Sequence, residues 1–283
     1  MMNKVEYLDV LNDYLLKYYS EEESLDILRD YEEYFLNSSL SPYTTNICGF
    51  IMKYGALQLY DNCIFPLYEK EDEILKEKIL AINNFLLERE IFPIYRIVRQ
   101  ENYERLDRVL FSNNFDKVET SIVLGCSLNG KKEELFRYAD FNENGIYVEA
   151  INFEEEGFFE DYSMLKEFSR EEAYLFKNAV RQIPFEKHYL SLVEGGKLIG
   201  QAFFTRQEDV VVIKDIVISK RYRGLGYSSK MLYSLLTHCL KKEANFVLAE
   251  VFLSNENATE LFYNNHLFQK LYSIHYKQAT RIR

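Results

Sequence analysis

The sequence has no tryptophan, four prolines and four cysteines in 283 residues. The cysteines stand far apart and form no Cys-x-x-Cys pair: Cys48, Cys63, Cys126 and Cys239. This spacing argues against a disulfide framework and against a cysteine-based metal site. No apolar run approaches the roughly 18 residues that a membrane-spanning helix needs, and the amino terminus has no secretory pattern. We therefore expect a cytoplasmic protein with reduced thiols and no membrane contact.

Positive charge is also scarce, because 34 lysines and arginines face 45 acidic residues and leave a net charge of −11. A general nucleic-acid binder needs a basic face, so this class of function is not expected. An acidic surface attracts amines and other cations. The four histidines lack ligand spacing, and we expect them to be structural and no metal to be bound: His188, His238, His266 and His275.

The most informative segment runs from residue 216 to residue 232, where a β-branched run meets a glycine-containing turn and a helical pattern begins. Gly224 and Gly226 allow close approach of a ligand, and the first turn of a helix carries amides without intrahelical partners. The positive end of the helix dipole favours an anion such as a diphosphate. Three cations flank the turn: Lys220, Arg221 and Arg223. The glycines alone are typical of any tight loop, but the strand, the helix and the cations together indicate an anion site. The segment contains neither a nucleoside triphosphate motif nor a dinucleotide motif.

This segment resembles the acetyl-CoA loop of the GNAT family of N-acetyltransferases, whose pattern is Arg/Gln-x-x-Gly-x-Gly/Ala. Here the pattern reads Arg223-x-x-Gly226-x-Ser228, and the serine adds a hydroxyl where the family has a smaller residue. The resemblance covers about residues 145–280 and implies that acetyl-CoA is the co-substrate. It assigns these loop residues to cofactor binding: Arg223, Gly224, Leu225, Gly226, Tyr227, Ser228 and Ser229.

The resemblance also implies roles outside the loop. Backbone groups of Ile216, Val217 and Ile218 would hold the pantetheine arm and polarise the thioester where neighbouring strands part. Asn255 would help to hold the same arm, and Glu250 would be the general base. Asp215 competes for the role of base, although a surface charge at the strand edge is an equally good interpretation.

The general acid implied by the family is a tyrosine on the helix that follows Asn255. Counting forward from Asn255 places Phe262 at that position, whereas counting back from Leu267 and Phe268 places Tyr263 there. We take Tyr263 as the candidate acid, and the register stays open between the two residues.

Periodicity predicts a mixed α/β order for the carboxyl-terminal half. The predicted strands are 146–153, 188–194, 197–206, 210–218, 246–253 and 268–276, and the predicted helices are 161–181, 227–242 and 257–265. This order matches the GNAT fold, in which a twisted mixed sheet is flanked by helices.

The amino-terminal half repeats part of this order. Residues 110–122 echo residues 261–274, which suggests an internal duplication. We predict strands at 47–54, 58–67 and 94–98 and a helix at 72–89. The turn at 66–73 has no glycine and carries four carboxylates, which would repel a phosphate. We therefore predict a degenerate GNAT-like domain over 1–130, without cofactor, and an acetyl-CoA-binding domain over 131–283. The first domain has two open roles, as a wall of the substrate cleft or as a homodimer interface.

The predicted function is transfer of an acetyl group from acetyl-CoA to a primary amine of a small molecule, amino acid or peptide, by direct attack in a ternary complex. The alternative is a non-catalytic protein that binds acyl-CoA, or a regulatory protein, with a decayed active site.

Overall fold

The structure, a computed structural model, describes residues 21–68, 73–98, 104–139, 145–151, 156–263 and 265–279. Its helices are α1 (Glu21–Asn37), α2 (Leu75–Leu87), α3 (Glu104–Ser112), α4 (Lys132–Ala139), α5 (Glu156–Lys166), α6 (Arg170–Gln182), α7 (Tyr227–Lys241) and α8 (Glu256–Tyr263). Its strands are β1 (Tyr43–Ile47), β2 (Phe50–Tyr54), β3 (Ile64–Phe65), β4 (Ile94–Val98), β5 (Phe115–Ser127), β6 (Ile146–Ile151), β7 (Glu186–Glu194), β8 (Lys197–Gln207), β9 (Val210–Ile218), β10 (Phe246–Phe252) and β11 (Gln269–Ala279). The mixed α/β class is the predicted one. Among the described helices, none is long and apolar enough to cross a membrane.

The chain divides into two compact units. The first comprises the described parts of Met1–Val123, Val251–Thr259 and Lys270–Arg283. The second comprises Leu124–Glu250 and Glu260–Gln269. The chain thus returns to the first unit twice near its carboxyl end. The predicted boundary at 130/131 divides the chain into two copies of a duplicated domain. The compact units do not test that division, so the boundary stays a prediction.

The first unit is built on strands in the order β1-β2-β3-β4-β11. Strand β4 pairs in parallel with β3 and antiparallel with β11, with Ile274 opposite Val98. Every residue of β4 is buried. Helices α2 and α3 place their apolar sides on these strands, and an apolar cluster is formed by Phe50, Met52, Ile64, Leu75, Ile79, Ile82, Leu86, Tyr95, Ile97, Leu106, Leu110 and Phe115.

A buried ion pair fixes α1 to this sheet. The Arg96 guanidinium on β4 donates two hydrogen bonds to the Glu32 carboxylate, at 2.6 and 2.9 Å. Arg96 also donates to the Tyr276 hydroxyl at 2.5 Å, and the Tyr272 hydroxyl donates to Glu32 at 2.7 Å. Buried charges are tolerated when they are paired and hydrogen-bonded in this way. Both tyrosines lie on β11, so the last strand completes the network.

The second unit has strands in the order β10-β9-β8-β7-β6. Strands β6 to β9 form an antiparallel meander, and β10 joins β9 in parallel. Phe158 and Phe159 of α5 pack on Tyr189 on one face, and Tyr189 stacks on Phe203 at 5.2 Å. Phe204, the next residue, faces α7 through His238 at 5.8 Å. The two faces follow from the alternation of side chains along a strand.

Most predicted elements of the carboxyl-terminal half are confirmed with ends shifted by a few residues, and one is wrong. The helix predicted over 161–181 is two helices, α5 and α6. Glu167 has a left-handed φ of +58°, which ends α5. Ser169 and Glu172 then form a reciprocal capping box that begins α6.

One predicted strand of the amino-terminal half is also wrong, and another is confirmed only from residue 50 onwards, as β2. The strand predicted over 47–54 contains a hairpin turn at Cys48 and Gly49, between β1 and β2. The segment predicted as a strand over 58–67 holds a short 3-10 turn, Leu59–Asp61, and the two-residue strand β3. The strand at 94–98 is confirmed, and the helix predicted over 72–89 is α2. Residues 69–72 of the carboxylate-rich turn lie outside the described residues.

The two echoing segments adopt the same order of elements. Helix α3 leads into β5, and α8 leads into β11. This common helix-to-strand order is what the sequence repeat predicts, and it fits a duplicated fold.

Candidate active site

The glycine-containing loop after β9 is a short 3-10 turn, Lys220–Tyr222, followed by two glycines with left-handed φ. Gly224 has φ +76° and Gly226, the residue that caps α7, has φ +81°. A Cβ built at either glycine would meet no protein atom within 4 Å. Glycine is therefore required by backbone conformation and not by space inside the protein.

Three amides in the first turn of α7 have no acceptor among the described residues. The first amide that closes a helical turn is that of Lys230, which donates to the Gly226 carbonyl at 3.2 Å. The amides of Tyr227, Ser228 and Ser229 precede it and have no carbonyl one turn back. Within the described loop, no side chain caps this end of the helix. The geometry is that of an anion site.

The basic side chains of the loop have partners that the sequence does not reveal. Arg223 Nε donates to the Ile218 carbonyl at 3.1 Å, so this side chain braces the turn. Lys220 Nζ lies 2.6 Å from a Glu167 carboxylate oxygen, and this hydrogen bond lowers the pKa of Glu167. The Tyr227 ring is buried, and its hydroxyl donates to Glu194 at 2.6 Å. Leu225 is exposed.

The strand edge at residues 216–218 lies where two strands part. The parallel ladder of β9 with β10 joins residues 210–213 to residues 246–249. Strand β9 continues to Ile218, and among the described residues it pairs there with β8 only. A β-bulge at Lys214 marks the start of the separation, because Phe203 and Phe204 pair with Asp215 and Ile213. Ile216, Val217 and Ile218 therefore offer one backbone edge to a ligand.

The two open candidates for the general acid differ in environment. Phe262 is buried, and its ring packs edge to face on Phe268 at 4.9 Å. Tyr263, the last residue of α8, is 40% exposed. Only the latter is accessible to a substrate, and its assignment as the acid stays a prediction. Glu250 is partly buried on β10, one residue beyond the ladder with β9.

Asn255 has a structural role that the sequence reading missed. Its side-chain oxygen accepts a hydrogen bond from the Ala258 amide at 3.2 Å, and its carbonyl accepts from the Thr259 amide at 2.9 Å. This is an N-cap of α8. Asn255 belongs to the first unit, and its role with pantetheine stays a prediction.

Asp215, considered above as a base or as a surface charge at the strand edge, has a partly buried carboxylate with two partners. The Tyr162 hydroxyl donates to Asp215 Oδ2 at 2.5 Å, and Lys166 Nζ lies 2.6 Å from the same oxygen. Both partners come from α5 and are separated from Asp215 by 53 and 49 positions. No local pattern signals such a contact, which explains why the sequence analysis missed Tyr162 and Lys166.

Two of the histidines meet on α7 and β7. His238 Nε2 lies 3.4 Å from His188 Nδ1, and the His188 ring stacks on Phe204 at 5.1 Å. Burial, together with the neighbouring His188, lowers the pKa of His238 to about 4. In the described part of the chain, no three His, Cys, Asp or Glu side chains are placed to hold a metal ion.

Comparison with known proteins links this geometry to a family. Residues 148–266 match the model of the Acetyltransferase (GNAT) family. No curated protein matches the sequence significantly. A GCN5-related N-acetyltransferase from Kribbella flavida has a similar structure, with a TM-score of 0.66, 9% identity, and 90% of this chain and 96% of that chain covered.

Two further solved structures are similar. A tandem GNAT protein from the clavulanic acid biosynthesis pathway has a TM-score of 0.62 and 10% identity, with 83% of this chain and 79% of that chain covered. A functionally unknown conserved protein from Staphylococcus epidermidis has a TM-score of 0.58 and 9% identity, with 83% and 92% covered. At such identities the likeness shows the fold alone. The family match coincides with the meander, the loop and α7, and residues 148–266 are therefore a domain that matches the acetyltransferase (GNAT) family.

Proposed function

We propose that this protein is an acetyl-CoA-dependent N-acetyltransferase that acts on a primary amine of a small molecule, amino acid or peptide. The single observation that carries the proposal is the start of α7. There the amides of residues 227–229 follow Gly226, which has a left-handed φ, and they come soon after the edge of β9 that extends beyond its ladder with β10. A diphosphate matches the amides, and a thioester arm matches the strand edge.

The residues present fit acetyl-CoA. The amides of Leu225 to Ser229 would surround the diphosphate, with Gly224 and Gly226 keeping the approach clear of Cβ atoms. Arg223 would act by bracing the loop through the Ile218 carbonyl. The backbone of Ile216 to Ile218 would hold the pantetheine arm, and Asn255 would support it.

The chemistry assigned to the side chains is proton transfer around a direct displacement. A free primary amine has a pKa of about 10.4, so making it neutral near pH 7 costs about 4 kcal/mol unless a base removes the proton. Glu250 would take that proton. The amine nitrogen then attacks the thioester carbonyl carbon, the C–N bond forms and the C–S bond breaks. Tyr263 would give its proton to the departing thiolate and regain one from the nitrogen of the new amide, so that the net proton released is the one held by Glu250.

Residues 1–130 enter the proposal as a degenerate copy without a cofactor loop. Glu77 lies in the first turn of its helix α2, where a carboxylate suits the helix dipole and disfavours a phosphate. This degenerate copy would wall the substrate cleft or form a homodimer interface. We also propose a cytoplasmic location, with no nucleic-acid partner.

Calorimetry with acetyl-CoA and a thiol-release assay with a panel of amines test the proposal together. We expect Gly226→Ala to weaken acetyl-CoA binding about tenfold or more, because alanine resists a φ of +81° and adds a Cβ at the ligand side. Gly130→Ala is the matched control. Gly130 lies in a different turn and has a φ of +71°, and a Cβ added there would also meet no atom within 4 Å. No heat with acetyl-CoA, or equal affinity in all three proteins, contradicts the proposal. Tight binding without turnover of any amine favours the non-catalytic alternative.

A further inference from the structure

Asp215 lies at the point where β9 leaves its parallel neighbour. It is the second residue after Ile213, the last residue of the ladder with β10, and it follows the bulge at Lys214. It pairs with Phe203 across β8 and β9, so its side chain is on the face that carries α5 and α6. The next three residues are the strand edge assigned to the thioester arm. Asp215 is therefore the residue that directly precedes this strand edge.

The hydrogen bonds to this carboxylate are unevenly distributed. Tyr162 and Lys166 both engage Oδ2, at 2.5 and 2.6 Å. Oδ1 has no hydrogen-bond partner among the described residues, and the Asp215 side chain is 25% exposed. A carboxylate has lone pairs for about four donors. One oxygen is thus held by the protein while the other can accept from a ligand.

The two partners of Oδ2 differ in how firmly they are fixed. The Tyr162 ring is almost fully buried and stacks on Phe176 at 4.5 Å with an interplanar angle of 4°. Lys166 is the last residue of α5, and its side chain is 23% exposed at the end of four methylene groups. Tyr162 therefore sets the position of the carboxylate, whereas the lysine ammonium can exchange with a ligand at little cost.

We propose that Asp215 binds the ammonium group of the acceptor and that Lys166 is a resident cation that the acceptor displaces. This inference rests on the proposed function and names its substrate class, an unbranched primary alkylammonium. The Lys166 ammonium is that chemical group, and it already lies at hydrogen-bonding distance from Oδ2. The net charge of −11 favours approach of a cation. The step at Asp215 is binding alone, and no covalent bond forms or breaks there.

If the acceptor competes with Lys166, two substitutions should shift the KM for amines in opposite directions. Asp215→Asn removes the negative charge, so the KM for amines is expected to rise about tenfold or more. Lys166→Met keeps the length of the side chain and removes the competing charge, so the KM for amines is expected to fall about threefold to tenfold. Lys166→Arg retains a competing cation and is expected to keep the KM of the wild type. A purely structural ion pair would make both neutralising variants worse.

The experiment measures acetyl transfer and calorimetric binding with n-hexylamine, 1,5-diaminopentane and tyramine, and uses 1-hexanol and 1,5-pentanediol as uncharged analogues. Lys131→Met is the matched control, because Lys131 forms a comparably exposed ion pair with Glu134 on α4, at 3.3 Å. Melting temperatures establish that each variant is folded. Binding of acetyl-CoA is measured in parallel and is expected to stay within about twofold in all variants.

The outcomes separate this inference from the proposed function. Opposite shifts in KM or Kd for the amines, without a shift for the alcohols, support the role of Asp215. The inference is overturned when acetyl-CoA binds but none of the three amines is bound or acetylated. It is equally overturned when Lys166→Met weakens amine binding or when Asp215→Asn leaves it unchanged. Failure of acetyl-CoA itself to bind counts against the proposed function.

Discussion

Adjacent residues of α8 have opposite environments, and this decides what each can do. Phe262 is buried against Phe268, while Tyr263 is 40% exposed. We expect Tyr263→Phe to lower kcat by about 10²-fold, the size typical of a lost general acid. The Kd for acetyl-CoA should be unchanged, because the cofactor is assigned to the loop and the strand edge. Steady-state kinetics and calorimetry on the same preparation make the comparison.

Phe262→Leu provides the complementary change. It removes the ring that packs on Phe268, so we expect a loss of about 1–3 kcal/mol in the free energy of unfolding, with kcat largely retained. Denaturant unfolding and the thiol-release assay measure the two quantities. A large loss of kcat in Phe262→Leu with full activity in Tyr263→Phe would reverse the assignment.

The His188–His238 pair predicts a dependence of stability on pH. Groups around the pair come from three elements: Glu186 on β7, Arg206 on β8, and Lys241 and Lys242 at the end of α7. The pKa of His238 falls to about 4 in the folded protein, against an ordinary value of 6.5. Between these values the unfolded chain binds more protons than the folded one, so acid favours unfolding.

We therefore expect the free energy of unfolding to be greatest above pH 6.5 and to fall by about 1–3 kcal/mol as the pH drops towards 4. Urea unfolding at a series of pH values, in the wild type and in His238→Gln, measures this. The glutamine variant should show the shallower fall, since it has no proton to bind at this position. Identical pH profiles in the two proteins would show that the pair does not contribute.

At the scale of elements, the break between α5 and α6 depends on a cap. Ser169 Oγ accepts from the Glu172 amide at 3.2 Å, and a Glu172 carboxylate oxygen accepts from the Ser169 amide at 2.7 Å. We expect Ser169→Ala to lower the free energy of unfolding by about 1 kcal/mol. Ser219→Ala is the control, because Ser219 precedes a 3-10 turn without a side-chain cap. Equal losses in the two variants would contradict a capping role.

The same element shows what sequence periodicity can and cannot predict. The apolar spacing of 161–181 fits one long helix, and only the Ser-x-x-Glu motif inside it indicates a second start. The hairpin of β1 and β2 was missed for a related reason. Both turn residues have left-handed φ, 52° at Cys48 and 91° at Gly49, and cysteine is not a residue that signals such a turn.

The segment from β9 through the loop to α7 was predicted closely, because its signals are local. A β-branched run, two glycines and an apolar stripe each determine the structure of their own neighbourhood. The contacts of Asp215 with Tyr162 and Lys166 could not be predicted, because they join residues about fifty positions apart. They depend on how α5 packs on the sheet.

At the scale of the whole molecule, the last strand lies in the first unit. Strand β11 pairs with β4 over five residue pairs, from Ile274 with Val98 to Gln278 with Ile94. It also supplies Tyr272 and Tyr276 to the buried Arg96–Glu32 pair. Alternation along a strand predicts which residues are buried but contains no information about the partner strand. The predicted division at residue 130 therefore places β4 and β11 in different pieces.

Separate expression of 1–130 and 131–283 tests this arrangement. The first fragment would leave a fully buried strand with an open edge and a buried ion pair without its two hydroxyl partners, and the second would expose β11 as an unpaired strand. We expect neither fragment to unfold cooperatively alone, and we expect co-expression to restore a soluble complex. The control is the intact chain cleaved after folding at a protease site inserted beside Gly130, in the turn where the Lys131 amide donates to the Leu128 carbonyl. This nicked protein has the same chain break but keeps the β4–β11 pairing, so it should retain the circular dichroism spectrum of the wild type. Two fragments that are each monomeric, with sharp and independent melting transitions, would show that the pairing of β11 with β4 is dispensable.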